Sequence, residues 1–218
     1  MINILSIDQS ISSTAICVNG DIKTIKTSSS LHTFQRIKVI IDKIKEIIDS
    51  NKINCVSMEQ YAFNMKNTSS LSVLMELGGN LKMLFYENGL EPIIISPKRW
   101  KKMILGNSSI DKNLILLEIY KRFGIECKND DEADAYAMYL FVGYILEYFN
   151  GKKFSNKHHQ DVFYKLVFEL IEKDGYLKEE FKDKRIASFA GLKKHMDEKE
   201  ILKKAKDIFY EKFVKLEE

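Results

Sequence analysis

The sequence predicts a mixed α/β fold with a five-strand sheet, followed by an all-helical extension. Two observations carry that expectation. Short β-rich runs and amphipathic helices follow one another as three strands, helix, strand, helix, strand and then helices, and beyond the polar stretch NGKKFSNKHHQ only helical periodicity remains. A chain of 218 residues is long enough to bury one substantial core and carry an appendage. The boundary is placed near residue 151, giving segments 1–150 and 151–218.

The elements follow in order. Residues 2–8 (INILSID) and 13–19 (STAICVN) are β-rich, and NGD at 19–21 turns the chain into a third run, DIKTIKT, whose alternation is only partly kept. Together they read as a three-strand meander. From 32 to 50, Phe34, Ile37, Ile40, Ile41, Ile44, Ile47 and Ile48 recur every three or four residues, which marks an amphipathic helix. INCVSME at 53–59 supplies a fourth strand. Ser69 and Ser70 open a helix to about Tyr86 that carries Gly78-Gly79 at its middle. Each glycine there costs roughly 1 kcal/mol against alanine, a loss that close approach by a partner helix or a nucleic-acid strand would explain. A fifth strand, EPIIIS at 91–96, precedes a short basic helix from Pro97, a helix over about 109–123 and a helix that begins in the acidic run NDDEADAYAMY at 129–139. The extension predicts helices near 160–173 and 195–214.

Composition narrows the class. No apolar run approaches the roughly 20 residues that span a bilayer, and the first residues lack the charged, apolar and small-residue order of a signal peptide, so a cytoplasmic protein is expected, in the host cytoplasm if the source is viral. Cys17, Cys55 and Cys127 are odd in number and far apart, which suggests neither a disulfide framework nor a zinc site. His32, His158, His159 and His195 show no metal-ligand spacing. Net charge is +3, and all of the excess lies in residues 151–218, where 17 lysines and arginines face 14 acidic residues.

The acidic residues carry the chemistry. Four of them in residues 130–134 have an ordinary explanation, since a helix N-terminus favours negative charge and Asn129 or Asp130 makes a good N-cap. Spacing adds that Asp131 and Asp134 share a helix face while Glu132 points elsewhere. Asp8 closes the first strand and Glu59 the fourth. Each alone is ordinary, but if those strands are parallel neighbours their C-terminal ends coincide, at the edge where open α/β sheets collect active-site groups. With no lysine or arginine interleaved, four convergent carboxylates resist joint ionisation, and hard divalent cations relieve that repulsion, as in two-metal phosphoryl-transfer sites.

The segments ILSIDQSISSTAICV, VSMEQYAFNMKN, ISPKRWKKMILGNSSIDKNLI and DDEADAYAMYL resemble, in order over residues 1 to about 145, the four signature segments of the RuvC family of Holliday-junction resolvases on the ribonuclease H fold. The resemblance implies an α/β, ribonuclease H-like mixed five-strand sheet flanked by helices, with a C-terminal helical extension. It implies that Asp8, Glu59, Asp131 and Asp134 are catalytic carboxylates binding two Mg²⁺ per active site, with Mn²⁺ as a substitute. It implies a homodimer, formed through the 69–86 helix, that nicks four-way DNA junctions symmetrically and leaves 5′-phosphates and 3′-hydroxyls. Lys98, Arg99, Lys101, Lys102 and Lys112 are the candidate DNA-binding cations, with Lys101 and Lys112 nearest the scissile backbone; for a Lys-rich helix face, plain solvation is the alternative. Asn67 joins the DNA-contacting set, and because EQYAFNMKN is one residue longer than the family pattern, either Tyr61 or Phe63 is the aromatic that enters the junction. Trp100 reads as core.

Rival readings are a related nuclease acting on flaps, replication forks or RNA–DNA hybrids, a non-catalytic DNA-binding protein, and an ATPase of the actin and sugar-kinase superfamily. The last needs a second lobe for which this chain has no room.

Overall fold

In the computed structural model, described over residues 1–60, 68–175, 177, 180 and 186–215, the strands lie in the order β3-β2-β1-β4-β5. They are β1 (Ile4–Asp8), β2 (Ser13–Val18), β3 (Asp21–Lys26), β4 (Cys55–Glu59) and β5 (Ile93–Ile95). The meander pairs antiparallel, whereas β1–β4 and β4–β5 are parallel. Parallel strands need a crossover, and the chain supplies one as α1 (Thr33–Asn51) and another as α2 (Thr68–Glu87).

Strand alternation decides which layer each side chain enters. Leu5, Ile7, Val56 and Met58 face one side and pack with Ile37, Ile40, Ile44 and Ile48 of α1 and Leu77, Leu81, Leu84 and Phe85 of α2. Ile4 and Cys55 face the other side and pack against α5 (Asp130–Phe149). Ser6 and Ser57 follow them by two residues, and their hydroxyls meet across the β1–β4 pair at 2.7 Å, fully buried. Asp8 and Glu59 come two residues later again, so the same alternation sends both carboxylates toward α5.

The basic helix is short. α3 (Pro97–Trp100) passes into a single π-helical turn, Lys101–Leu105, closed by Gly106 at φ 75°. Gly106 is required twice over, because its backbone is left-handed and a β-carbon there would come within 3.3 Å of the His158 ring. α4 (Lys112–Phe123) starts where Asp111 accepts the Asn113 amide at 2.9 Å, a little later than the expected 109 because the cap sets the boundary.

Among the described residues, the extension carries α6 (Lys157–Lys173), α7 (Phe189–Leu192) and α8 (Glu198–Phe213). α7 is one turn long, too short to leave a periodic signal. Phe163, Val167, Ile171, Ile201 and Phe209 share one apolar cluster with Trp100, Met103, Phe141, Val142 and Ile145, so the extension packs into the same core as α5 and the π turn. After α8 the Lys215 amide donates to the Asn54 carbonyl at 2.8 Å, and the Lys215 ammonium donates to the Asn88 carbonyl at 2.8 Å. Among the described residues no helix is long and apolar enough to cross a membrane.

Candidate active site

β1 and β4 run in parallel with Ile7 beside Met58, which brings Asp8 and Glu59 to the same C-terminal edge. α5 crosses that edge with its first turns. Its Asn129 cap accepts the Glu132 amide at 2.9 Å and fixes the direction of the acidic run. One oxygen from each of Asp8, Glu59 and Asp134 falls in a group whose members all lie within 4.8 Å of one another. They line a cavity of about 390 Å³ with Gln9, Gln60, Lys101 and Lys112, and with Leu74, Pro97 and Ile115.

The four acids of the run have four different surroundings. Asp134 enters the tight group, while Asp131, one turn earlier, stands outside it yet near enough for its charge to act on Asp8 and Asp134. Asp130 pairs with Lys112. Glu132 is buried, accepting the Thr24 hydroxyl at 2.7 Å and the Lys128 amide at 2.8 Å, so it is a structural residue turned away from the site. Among the described residues, then, Asp130 is balanced by a cation and Glu132 is satisfied by hydrogen bonds, while Asp131 and Asp134 make no ion pair.

Electrostatics at the cluster follow from burial and like charge. Burial, then the charges of Glu59, Asp134 and Asp131, holds Asp8 well above the usual carboxylate range. Burial raises Glu59 as well, against the opposing pull of its contact with Asp8 and of Lys101. Asp134 is pushed up to about 7, chiefly by burial and next by Glu59, with Lys101 and Lys112 pulling the other way. One oxygen of Asp134, Oδ1, is buried without any hydrogen-bond partner among the described residues. A desolvated carboxylate oxygen left unpaired among other carboxylates fits a hard divalent cation, whose preferred ligands are such oxygens. The residues present fit a bound metal.

Some expectations need correction or extension. Lysines do stand among the acids: Lys101 and Lys112 reach the cavity from segments far away in sequence, which spacing within the acidic run could not reveal. Lys98 is exposed, but Arg99 and Lys102 are engaged by the extension, with Arg99 on Glu169 and Lys102 on Asp161. Tyr61, Phe63 and Asn67 lie outside the described residues. Trp100 is fully buried, as expected of core; its indole N–H closes no sound hydrogen bond among the described residues, though it lies near enough to favour the charged form of Glu59. Gln9 was not singled out by sequence reasoning. It is 7% exposed and lines the cavity, with its Oε1 unpartnered among the described residues; a polar residue directly after a strand-ending aspartate was the only signal.

A five-strand sheet of this order, with carboxylates gathered at the ends of its two central parallel strands, defines a ribonuclease H-like protein with an acidic site that could hold a metal. Residues 5–141 match the family model described as crossover junction endodeoxyribonuclease RuvC, and the chain belongs to that family. The crossover junction endodeoxyribonuclease RuvC of Brachyspira hyodysenteriae is 28% identical over 116 residues, covering 53% of this chain and 72% of the relative. That of Ehrlichia canis is 28% identical over 151 residues, covering 65% and 96%. Among solved structures, Thermus thermophilus RuvC in complex with a Holliday junction substrate superposes with a TM-score of 0.57 at 17% identity, covering 66% of this chain and 97% of that one, a likeness of fold.

Proposed function

We propose that this protein is a metal-dependent endonuclease that resolves four-way DNA junctions by paired symmetric nicks, leaving 5′-phosphates and 3′-hydroxyls. The observation that carries the proposal is the convergence of Asp8, Glu59 and Asp134 within 4.8 Å, in a chain of the RuvC family. Asp8, Glu59 and Asp134 would hold the metal, with Asp131 completing the set; Mg²⁺ is the proposed ion and Mn²⁺ its substitute. When bound, the metal supplies a water acidic enough to act as nucleophile and neutralises charge developing on the phosphate.

The chain's own residues do the rest. Asp8 stands centrally, since Glu59, Asp134 and Asp131 all act on it. Lys101 and Lys112, at the cavity wall, meet the phosphates flanking the scissile bond, and Lys98 meets the backbone farther out. Tyr61, Phe63 and Asn67 are proposed to contact the junction.

Two sites are needed for paired nicks, and α2 supports a homodimer. Its inner face packs on α1, while Met75, Gly79, Met83 and Tyr86 form an outward stripe, with Met75, Met83 and Tyr86 exposed by 50%, 58% and 77%. Among the described residues nothing lies within 4 Å of a β-carbon built on Gly79, which leaves room for a second helix backbone. Residues 1–150 are proposed as the nuclease domain and 151–218 as its helical extension.

Cleavage of four-way, forked and RNA–DNA hybrid substrates in Mg²⁺ tests the reading. Paired nicks on the four-way junction in preference to the others are expected; equal cutting of all three would overturn junction selectivity.

A further inference from the structure

The basic segment between β5 and α4 divides its cations between two surroundings. Lys101 faces the acid cavity, whereas Arg99 and Lys102 meet acids of α6. One guanidinium nitrogen of Arg99, Nη2, donates to both carboxylate oxygens of Glu169 at 2.6 and 2.7 Å, and the two side chains are only 23% and 26% exposed. Lys102 lies 3.4 Å from Asp161, a looser and more exposed pair. Between these contacts the π turn buries Met103, Ile104 and Leu105 in the cluster that holds Val162, Phe163 and Leu166 of α6. A π turn is a rare backbone, and here it is packed between α5 and α6.

We propose that α6 is the positioning element of the acid site: Glu169 and Asp161 engage Arg99 and Lys102 as braces, so these two cations hold the π turn rather than the DNA backbone, and Lys101 is thereby presented to the carboxylates. Glu169 and Arg99 are positioning residues that act through Lys101. The proposal rests on the nuclease reading above and gives the extension a part in it. Charge-assisted bonds to Glu169 would have to break before Arg99 could take a phosphate, and the net gain from that exchange is small. The DNA-contacting charge near the site then comes from Lys98 and Lys101, and from Lys112, whose side chain stays 71% exposed at the cavity wall although it pairs with Asp130.

The salt dependence of junction binding in EDTA separates the roles, because removing a cation that neutralises one phosphate flattens the slope of log affinity against log salt by about one. Lys101→Ala should flatten it by about one, while Arg99→Gln and Glu169→Gln should leave it unchanged. At saturating junction and Mg²⁺ the same Arg99→Gln and Glu169→Gln chains should cut more slowly, on the order of tenfold to a hundredfold, as misplacement of a group near the reacting atoms does. Exchanging the pair, Arg99→Glu with Glu169→Arg, should recover most of the rate lost in Arg99→Glu alone, with thermal melting confirming that each chain is folded. A flattened slope for Arg99→Gln, or an exchanged pair no faster than Arg99→Glu, would overturn the proposal. If the unaltered chain binds junctions but cuts none in any divalent cation, the nuclease reading fails; the slope comparison, which needs no cutting, still decides whether Arg99 is a brace.

Discussion

At the sheet edge Asp8, Glu59 and Asp134 gather oxygen to oxygen, and none of the three makes an ion pair among the described residues. On α6, by contrast, Asp161 and Glu169 each meet a cation. The two groups of acids flank the same short basic segment and follow opposite rules. An acid with its own lysine or arginine is already balanced and serves to hold elements together. Acids that are desolvated in each other's company destabilise the fold until an outside charge joins them, which is the mark of a site built for a ligand. Asp130 repeats the lesson, since it pairs with Lys112 and does not line the cavity; Glu132, held by a hydroxyl and an amide, stays out of the cavity as well.

The largest test of that contrast is Asp8→Asn. Junction cleavage should fall by a factor on the order of a thousand or more, equivalent to several kcal/mol of lost metal-assisted stabilisation, while junction affinity in EDTA stays within about twofold because the basic surface is untouched; single-turnover cutting and fluorescence anisotropy measure the two. A smaller effect concerns stability. Mg²⁺ at about a hundred times its dissociation constant should stabilise the folded chain by roughly 2.7 kcal/mol, visible as a higher melting temperature, and this rise should vanish in Asp8→Asn. Glu132→Ala sharpens the comparison from the other side: it should cost roughly 1–3 kcal/mol in urea unfolding, by stranding the Thr24 hydroxyl and the Lys128 amide, with Mg²⁺ affinity by calorimetry unchanged. Loss of that affinity would place Glu132 in the site.

The smallest effect belongs to His159 in the extension. It is buried and hydrogen-bonded to the Tyr148 hydroxyl, with Tyr144, His158 and Lys152 about it, and burial pushes its pKa below 6.5. The unfolded chain therefore takes up the proton first, so the contribution of His159 to stability is complete above pH 6.5 and declines as the pH falls through that value toward the lower folded pKa. Unfolding free energies at pH 7.5 and 5.5 should differ less in His159→Gln than in the unaltered chain.

Much of the site was legible because its signals are local. Asp8 and Glu59 each end a short apolar strand, and Asp131 and Asp134 begin an apolar helix; once β1 and β4 are parallel neighbours, three of these acids have nowhere else to go. The acids that Arg99 and Lys102 meet were not legible, since a lysine-rich helix shows its charge but not its partners. Glu169 stands 70 residues from Arg99, and Asp161 stands 59 from Lys102, so no periodicity links them. The π turn escaped because five residues are too few to leave a periodic signal, and helix bounds shifted by a few residues where Asp111, Asn156 and Asp197 cap them. Gln9 was missed because one amide beside an aspartate has no periodic or charge signal.

The shared core of α5 and the extension has a practical consequence for anyone trimming the molecule. Phe141, Ile145, Tyr148 and Phe149 are covered, at 1%, 1%, 5% and 9% exposure, in a cluster to which α6 and α8 contribute. A version shortened to residues 1–150, without α6 and α8, would turn this seam outward to water, inviting self-association. Low yield or clumping of such a fragment would report a stripped flank, and its idleness in a nicking assay would say nothing against the carboxylates.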